Sequence, residues 1–213
     1  MERIGWSQLT ELLTPKDVTK AVALLQAGQL VALPTETVYG LFGLALDNTV
    51  VEKVYRVKNR QHDHALNLNI SSFEQMKYFS QNQPKYLEKL YNKFMPGSLT
   101  VILEANKRVP SLVNYGMPTV GFRMPDNQTT LEILRQTGPM VGPSANLTGN
   151  PSPKTAQDVL SDLSGQIAAV LKADESISGI DSTIVDLTGE LPTILRQGAL
   201  TLSEIYEVIK DDF

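Results

Sequence analysis

Cysteine is absent from this 213-residue chain, and histidine occurs only twice, as His62 and His64. Without cysteine the chain cannot form a disulfide, a thiolate zinc site, an iron–sulfur cluster or a thiol nucleophile. The two histidines have only Asp63 beside them in sequence, which is too few donors for a zinc site. We therefore expect no metal site built from protein side chains.

Long apolar runs are also missing. None approaches the roughly 20 residues that cross a bilayer, and the first residues lack the apolar core of a secretory signal. We therefore expect a cytoplasmic protein that makes no membrane contact. Hydrophobic residues make up 42% of the chain and charged residues 20%, a balance that allows one core without disulfides or metals. Because no repeat, low-complexity tract or linker interrupts the chain, residues 1–213 are predicted to form a single domain.

Positive charge is not in excess, since the net charge is −4 and the pI about 5.2. Generic nucleic-acid binders are basic, so attraction of the whole protein to phosphate is not expected. One local exception is the run Lys53, Arg56, Lys58 and Arg60, which places four cations in eight residues without an acid. Such a run forms a solvated helix face or contacts the phosphates of tRNA or duplex RNA, and the run itself leaves both interpretations open.

The usual nucleotide-binding and hydrolase motifs are absent too. The chain contains no G-x-x-x-x-G-K-[ST], no G-x-G-x-x-G and no G-x-S-x-G. A nucleotide site therefore cannot be inferred from a P-loop or a dinucleotide fingerprint, and a hydrolase nucleophile elbow is not expected.

Short apolar segments alternate with amphipathic ones along the chain. A first helix is predicted to open at Thr14-Pro15 and to end at Gly28, and a second to open at a capping box that begins at Thr49. Further helices are predicted near 72–80, 84–94, 127–136, 154–163 and 202–209. Strands are predicted at 30–33, 66–70, 99–104, 119–123, 139–142, 168–171, 183–187 and 193–196. This interleaving predicts an α/β fold with a mixed sheet flanked by helices.

Polar motifs follow or open several of the predicted strands. The loop 34–40, Pro-Thr-Glu-Thr-Val-Tyr-Gly, offers three hydroxyls and a carboxylate, which line a small polar pocket or cap nearby backbone. Lys58-Asn59-Arg60 closes the second helix, where cations face the negative end of the helix dipole or bind phosphate. The remaining motifs are Gly142-Pro143-Ser144-Ala145-Asn146, Asp181-Ser182-Thr183 and Leu195-Arg196-Gln197-Gly198.

The order and spacing of these motifs resemble the YrdC-like family. The likeness runs from about Lys16 to Glu207. It implies a twisted mixed β-sheet flanked by helices, with a concave, positively charged groove. It also implies synthesis of threonylcarbamoyl-AMP and pyrophosphate from L-threonine, bicarbonate or CO2, and ATP, with Mg2+ carried by the ATP. Other proteins would then transfer the threonylcarbamoyl group to a tRNA adenosine.

The resemblance also assigns roles to individual residues. The catalytic set is Lys58, Arg60, Ser144 and Asn146. The ATP-binding set adds to these four residues His64, Thr119, Ser152 and Arg196. The threonine-binding set is Thr35, Thr37, Tyr39, Asn69, Arg123, Gly142 and Ser182. In this assignment Arg123 grips the threonine carboxylate at two points.

The chain departs from the family pattern at three places. Gln61 stands where a proline is common, His64-Ala65-Leu66 stands where Asn-Pro-Leu is common, and Asn69 stands where some members have a histidine that touches threonine. Asparagine exchanges hydrogen bonds but carries no charge. A related carbamoyl-adenylating enzyme with another substrate, or a module that binds tRNA or duplex RNA, is therefore the alternative to threonylcarbamoyl-AMP synthesis. The chain also ends soon after Leu-Arg-x-Gly, so we expect it to lack the extra C-terminal domain of the longer members.

Overall fold

The computed structural model describes residues 9–61, 65–172 and 177–212. Its strands are β1 (Glu11–Leu13), β2 (Val31–Leu33), β3 (Gly40–Leu44), β4 (Asn67–Asn69), β5 (Ser80–Gln81), β6 (Leu99–Ala105), β7 (Thr119–Arg123), β8 (Met140–Val141), β9 (Ala169–Leu171), β10 (Thr183–Asp186) and β11 (Thr193–Arg196). Its α-helices are α1 (Val18–Gln26), α2 (Asn48–Lys58), α3 (Phe73–Phe79), α4 (Leu87–Phe94), α5 (Ser111–Asn114), α6 (Gln128–Thr137), α7 (Ala156–Leu163) and α8 (Leu202–Ile209). Short 3-10 turns precede α1 and follow α8, at Pro15–Asp17 and Lys210–Asp212.

The strands form one mixed sheet in the order β1-β9-β2-β3-β8-β4-β7-β6-β10-β11, and β5 pairs with β6 beside this path. Four pairs are parallel, namely β1/β9, β2/β9, β4/β7 and β6/β10. The other pairs are antiparallel. The predicted α/β fold with a twisted mixed sheet flanked by helices is therefore confirmed.

Most predicted elements lie within a few residues of their predicted bounds, but α2 begins earlier than predicted. Asp47, not Thr49, caps this helix, because its carboxylate accepts hydrogen bonds from the backbone N–H of Thr49 at 2.8 Å and of Val50 at 3.4 Å. Asp47 sits at an extended backbone position that suits an N-cap, so the short side chain satisfies donors of the first turn. The helix buries Val50 and Val54 against the sheet.

The sequence patterns missed β1, β3, β5 and α5. In β3 the residues Gly40 to Phe42 are fully buried, so no polar alternation marks the strand. Two glycines in five residues further obscure it, since glycine is uncommon in strand interiors. The elements β1, β5 and α5 contain only two to four residues, too few for a periodicity to appear.

The core lies between the sheet and its helices. It contains Leu33, Phe42, Leu68 and Phe122 from central strands, each fully buried.

Among the residues described, no helix is long and apolar enough to cross a membrane.

Candidate active site

A polar cavity of about 190 Å³ opens where several strand ends and loops meet. It lies beside β4 and β7, which run parallel and place Asn69 opposite Arg123. The start of β3 and the loop after β8 also line it, and they are joined by a bridge between Gly40 and Ser144. Eight residues from the predicted sets line this cavity: Thr35, Arg60, Asn69, Arg123, Gly142, Ser144, Ser182 and Arg196.

Three arginines and one aspartate supply the formal charges in the cavity lining, namely Arg60, Arg123, Arg196 and Asp181. Burial, together with the positive charge of Arg123, lowers the pKa of Arg196, although Asp181 acts in the opposite direction. Arg123 and Arg196 both line the cavity. Such a lining favours an anionic ligand over a cationic one.

Arg123 enters the cavity from the end of β7 and is held by the loop after β2. Its Nη2 atom donates hydrogen bonds to Glu36 Oε1 at 2.9 Å and to Thr37 Oγ1 at 2.5 Å. Thr35 Oγ1 lies at 3.5 Å from the same nitrogen. The two hydroxyls also contact one another, with their Oγ1 atoms 2.9 Å apart. Because Nη2 carries two hydrogens, both are used within the protein, and a two-point grip that includes Nη2 would displace Glu36 or Thr37.

Lys58 is almost completely buried at the end of α2, with 2% of its surface exposed. Its Nζ donates to three oxygens of the loop after β8, namely Ser144 O at 2.5 Å, Asn146 O at 2.6 Å and Asn146 Oδ1 at 3.1 Å. These contacts use all three donors of the ammonium group. Burial, together with the positive charge of Arg60, lowers the pKa of Lys58 to about 8. Lys58 therefore fixes the Ser144–Asn146 segment from behind instead of projecting into the cavity.

Arg60 reaches the cavity because α2 ends in a tight turn. Asn59 adopts a left-handed backbone conformation with φ 50°, which asparagine tolerates better than most residues. The N–H of Arg60 then donates to Tyr55 O at 2.9 Å, a bond that reverses the chain after the helix. The Arg60 Nη2 atom donates to Ala65 O at 3.0 Å, which anchors the guanidinium at the cavity wall.

The start of β10 and the end of β11 also contribute to the cavity lining. Arg196 donates from Nε and Nη2 to Ser182 O at 3.1 and 2.9 Å, and from Nη2 to Ser182 Oγ at 3.1 Å. Its Nη1 lies 3.8 Å from Asp181 Oδ2. The Ser182 hydroxyl also lies 2.9 Å from Thr100 Oγ1 in β6. The β-bulge between β10 and β11 opposes Ile184 to Arg196 and Val185 to Ile194, and both Ile184 and Arg196 line the cavity.

Gly142 lines the cavity beside Asn69. A Cβ atom at this position would stand 2.7 Å from Asn69 Nδ2 and 2.7 Å from a ring carbon of Phe42. Real Cβ contacts do not occur at that distance, so any side chain at Gly142 would push Asn69 or Phe42 away. The glycine therefore keeps the Asn69 amide in its place at the cavity wall.

Several predicted residues lie beside the cavity but do not line it. Thr37 is buried behind Arg123, and Asn146 is buried between Lys58 and Asn150. The backbone of Tyr39 bonds to Pro153 and Ala145, and its ring belongs to the core.

Three further predictions fall farther from the cavity. Thr119 lies at the other end of β7 from Arg123, opposite Glu104. Ser152 lines a neighbouring hollow and donates to Asp181 Oδ1 at 3.4 Å. His64 lies outside the described residues.

Sequence reasoning missed three residues at or behind the cavity: Glu36, Asn67 and Asp181. Glu36 and Asp181 lie inside named polar motifs and Asn67 in the predicted strand 66–70, but the predicted roles fall on their neighbours. For Asn67 a signal existed, because it alternates with Leu68 as Asn69 does and so shares the polar face of β4. Among the residues described, no group of three or more His, Asp and Glu side chains could hold a metal ion.

The sequence profile of the family described as "Telomere recombination", which covers Sua5, YciO and YrdC proteins, matches residues 23–198. The chain belongs to this family. The resemblance to the YrdC-like family is thereby confirmed.

Relatives in this Sua5/YciO/YrdC family share moderate identity with the chain. The threonylcarbamoyl-AMP synthase of Pyrococcus abyssi is 40% identical over 89% of this chain and 56% of its own length. That of Bacillus subtilis is 37% identical over 94% of this chain and 59% of its own length. The chain thus spans a little more than half of these two relatives. A putative threonylcarbamoyl-AMP synthase of Mycobacterium tuberculosis is 34% identical over 92% of this chain and 91% of its own length.

Solved structures of the family agree with the fold. Pyrococcus abyssi Sua5 complexed with L-threonine superposes with a TM-score of 0.90 at 36% identity, over 95% of this chain and 61% of that protein. YciO of Escherichia coli superposes with a TM-score of 0.81 over 91% of this chain and 98% of that protein. Its identity of 21% makes it a likeness of fold alone.

Proposed function

We propose that the chain is an L-threonylcarbamoyladenylate synthase, which forms threonylcarbamoyl-AMP and pyrophosphate from L-threonine, bicarbonate or CO2, and ATP. The observation that carries this proposal is one cavity whose lining contains two chemically different sets of groups. Arg123 with its neighbours Thr35 and Asn69, called here the amino-acid wall, suits a small amino acid. Arg60 and Ser144, called here the phosphate wall, suit phosphates. The names of the relatives and the threonine complex of the Pyrococcus protein support the same assignment.

The amino-acid wall offers one cation together with neutral hydrogen-bonding groups. The Arg123 guanidinium is the charge that a threonine carboxylate would meet. Asn69 Nδ2 lies 3.5 Å from Met140 O, a contact at the limit of a hydrogen bond. The Asn69 amide is thus only weakly held by the protein and is available to a substrate hydroxyl or amine. In this proposal Thr37, Tyr39, Gly142 and Ser182 shape this wall or support it.

The phosphate wall combines the half-buried Arg60 with the buried Lys58 behind it. In the proposal Arg60 and the Ser144 hydroxyl contact phosphate oxygens, and Lys58 acts through its charge and through the loop it holds. Asn146 completes that loop, since its Oδ1 accepts from Lys58 and its Nδ2 donates to Asn150 O at 2.6 Å. Arg196, Thr119, Ser152 and His64 are assigned to the rest of the nucleotide.

The proposed reaction needs alignment more than it needs a base. The neutral threonine amine adds to CO2 and loses one proton to solvent, which gives a carbamate. One oxygen of this carbamate attacks the α-phosphorus of ATP while the bond to the pyrophosphate oxygen breaks. The carbamate is already anionic, so no side chain has to remove a proton in this step. Phosphoryl and nucleotidyl transfer depend mainly on positioning and on neutralising charge. The described residues provide no carboxylate cage, so the proposal assigns Mg2+ to the ATP with which it enters as substrate.

The product is a mixed anhydride, which other proteins would use to modify a tRNA adenosine in the cytoplasm. Direct contact of this chain with tRNA or duplex RNA stays a prediction, as does the positively charged groove. The four-cation run does not support an RNA-binding face. Lys58 is buried, Lys53 Nζ donates to Gly28 O at 2.8 Å, and Arg60 lines the cavity. Of the four, only Arg56 is exposed on the surface of α2.

The test is mass spectrometry of the product formed from ATP, labelled bicarbonate and each amino acid in turn. We expect threonylcarbamoyl-AMP that carries the bicarbonate label, with equimolar pyrophosphate, and none when bicarbonate or CO2 is removed. A labelled adenylate formed with a different amino acid would support the related carbamoyl-adenylating enzyme. No turnover with any amino acid, together with tight binding of duplex RNA at physiological salt, would contradict the enzyme proposal.

A further inference from the structure

Glu36 binds protein groups with both oxygens of its carboxylate. Oε1 accepts from Arg123 Nη2 at 2.9 Å and from the Ser98 hydroxyl at 3.2 Å. Oε2 accepts from the backbone N–H of Asp126 at 2.9 Å. Glu36 therefore connects the loop after β2 with residues that flank β6 and β7. A carboxylate used in this way is not placed to act as a general base or to ligate a metal.

The backbone around Glu36 is fixed as well. The carbonyl oxygen of Glu36 accepts from Ser178 N–H at 3.0 Å, and that of Thr37 accepts from Gly179 N–H at 2.7 Å. The side chain of Glu36 is 21% exposed and that of Arg123 12% exposed. The ion pair is thus largely shielded from water, and the backbone that carries Glu36 is held by two hydrogen bonds, so the pair restricts where the guanidinium can point.

The contacts of Arg123 leave one end of its guanidinium for a ligand. Nη2 is used by Glu36 and Thr37, and Nε is buried without a hydrogen-bond partner. Nη1 makes no hydrogen bond to any described residue, and Arg123 lines the cavity. The group that can reach a substrate without breaking a protein contact is therefore Nη1.

We propose that Glu36 is a positioning residue for amino-acid recognition: it holds Arg123 by Nη2 so that Nη1 meets the substrate carboxylate. This inference rests on the proposed function and deepens it. Placing an anion beside the arginine would otherwise weaken binding, because a second carboxylate repels the ligand and partly neutralises the cation. When the charge of Glu36 is removed, a positioning role therefore predicts weaker threonine binding, whereas simple electrostatics predicts tighter threonine binding.

The experiment measures L-threonine and ATP affinities separately by calorimetry for wild type, Glu36→Gln and Glu104→Gln. A glutamine at position 36 keeps the size of the side chain, but its amide nitrogen must face a donor, either the Asp126 N–H or the Arg123 guanidinium. We expect Glu36→Gln to weaken threonine binding about tenfold or more, since small displacements of a positioning group cost that much, and to leave ATP affinity within about twofold. Glu104→Gln removes the same charge at the far end of β6, where Glu104 Oε2 accepts from Asn82, and should bind both ligands like wild type.

A double-mutant cycle tests whether Glu36 acts through Arg123. In an Arg123→Lys background, Glu36→Gln should cause little further loss of threonine affinity, because the lysine no longer needs the glutamate to orient it. Equal or tighter threonine binding by Glu36→Gln would overturn the inference, and so would an equal loss for threonine and ATP. If Glu36→Gln proves too unstable to assay, Ser98→Ala removes one support of the carboxylate and should weaken threonine selectively, though less. Wild-type protein that binds no threonine would instead overturn the proposed function itself.

Discussion

Replacing Lys58 by methionine separates two contributions of this residue, to the fold and to the reaction. The ammonium makes three hydrogen bonds to Ser144 and Asn146, at 2.5, 2.6 and 3.1 Å. A hydrogen bond from a charged donor contributes roughly 1.5–3 kcal/mol, so the three together contribute about 5–9 kcal/mol. Burial opposes this: it lowers the pKa from 10.5 to about 8, a penalty of roughly 3 kcal/mol at about 1.36 kcal/mol per unit. Methionine fills a similar volume without either contribution, so we expect the free energy of unfolding to fall by roughly 2–6 kcal/mol.

The same substitution should lower turnover. The Ser144–Asn146 segment would lose its support, and the phosphate wall would lose one positive charge. Loss of one such preorganised group typically costs about a hundredfold in rate. Urea unfolding followed by fluorescence measures the first effect, and threonine-dependent pyrophosphate release at a temperature where the variant is folded measures the second.

Lys53→Met is the matched control from the same helix. Within the described residues Lys53 makes one hydrogen bond, from Nζ to Gly28 O at 2.8 Å, and it does not line the cavity. We expect a loss of about 1 kcal/mol in unfolding free energy and unchanged turnover. If Lys58→Met kept wild-type stability and wild-type turnover, the reasoning from its three contacts would be refuted.

Three further outcomes follow from the site. In urea denaturation, Gly142→Ala should lower the unfolding free energy by about 1–3 kcal/mol, because the added Cβ would overlap Asn69 and Phe42. The control Gly189→Ala should be nearly neutral in the same assay, because the nearest atom to its Cβ would be 3.7 Å away. As pH rises through about 8, Lys58 loses its proton, so the KM for ATP should rise. A KM for ATP that stayed flat between pH 7 and 10 would contradict this expectation. Between about pH 8 and 10.5 the unfolding free energy should increase, since over this range only the unfolded chain still binds that proton. In competition assays threonine should be used in preference to 2-aminobutyrate, because a pocket that hydrogen-bonds a hydroxyl rejects a ligand without one. Asn69→Leu should reduce the ratio of threonine use to 2-aminobutyrate use.

The buried charges around the cavity also explain why part of the site escaped sequence reasoning. Lys58 belongs to a recognisable Lys-x-Arg motif, and that motif suggested a side chain that faces the substrate. Its actual partners are carbonyl oxygens 86 and 88 residues away in sequence. No local pattern encodes a partner that far along the chain, because backbone carbonyls exist at every residue and only the fold selects which of them meet Lys58.

Glu36 is a second residue whose partners are too far away in sequence for a local pattern to reveal them. It lies in the polar loop that was singled out, between two threonines that received roles. Its importance comes from Arg123, 87 residues away, and from the Asp126 backbone, which no side-chain pattern reveals. Its effect on the site is therefore visible only once the loop after β2 is packed against the end of β7.

The sequence by itself determined those features that depend on residues close together in the chain. Hydrophobic periodicity and capping residues predicted the mixed α/β fold and most element positions, because these depend on neighbours three or four residues apart. The order of short motifs was enough to indicate the family. The tertiary structure decided which motif residues share one cavity, that Lys58 supports a loop, and that Nη2 of Arg123 is already occupied. These facts depend on hydrogen bonds between distant segments, which form only when burial brings the strand ends together.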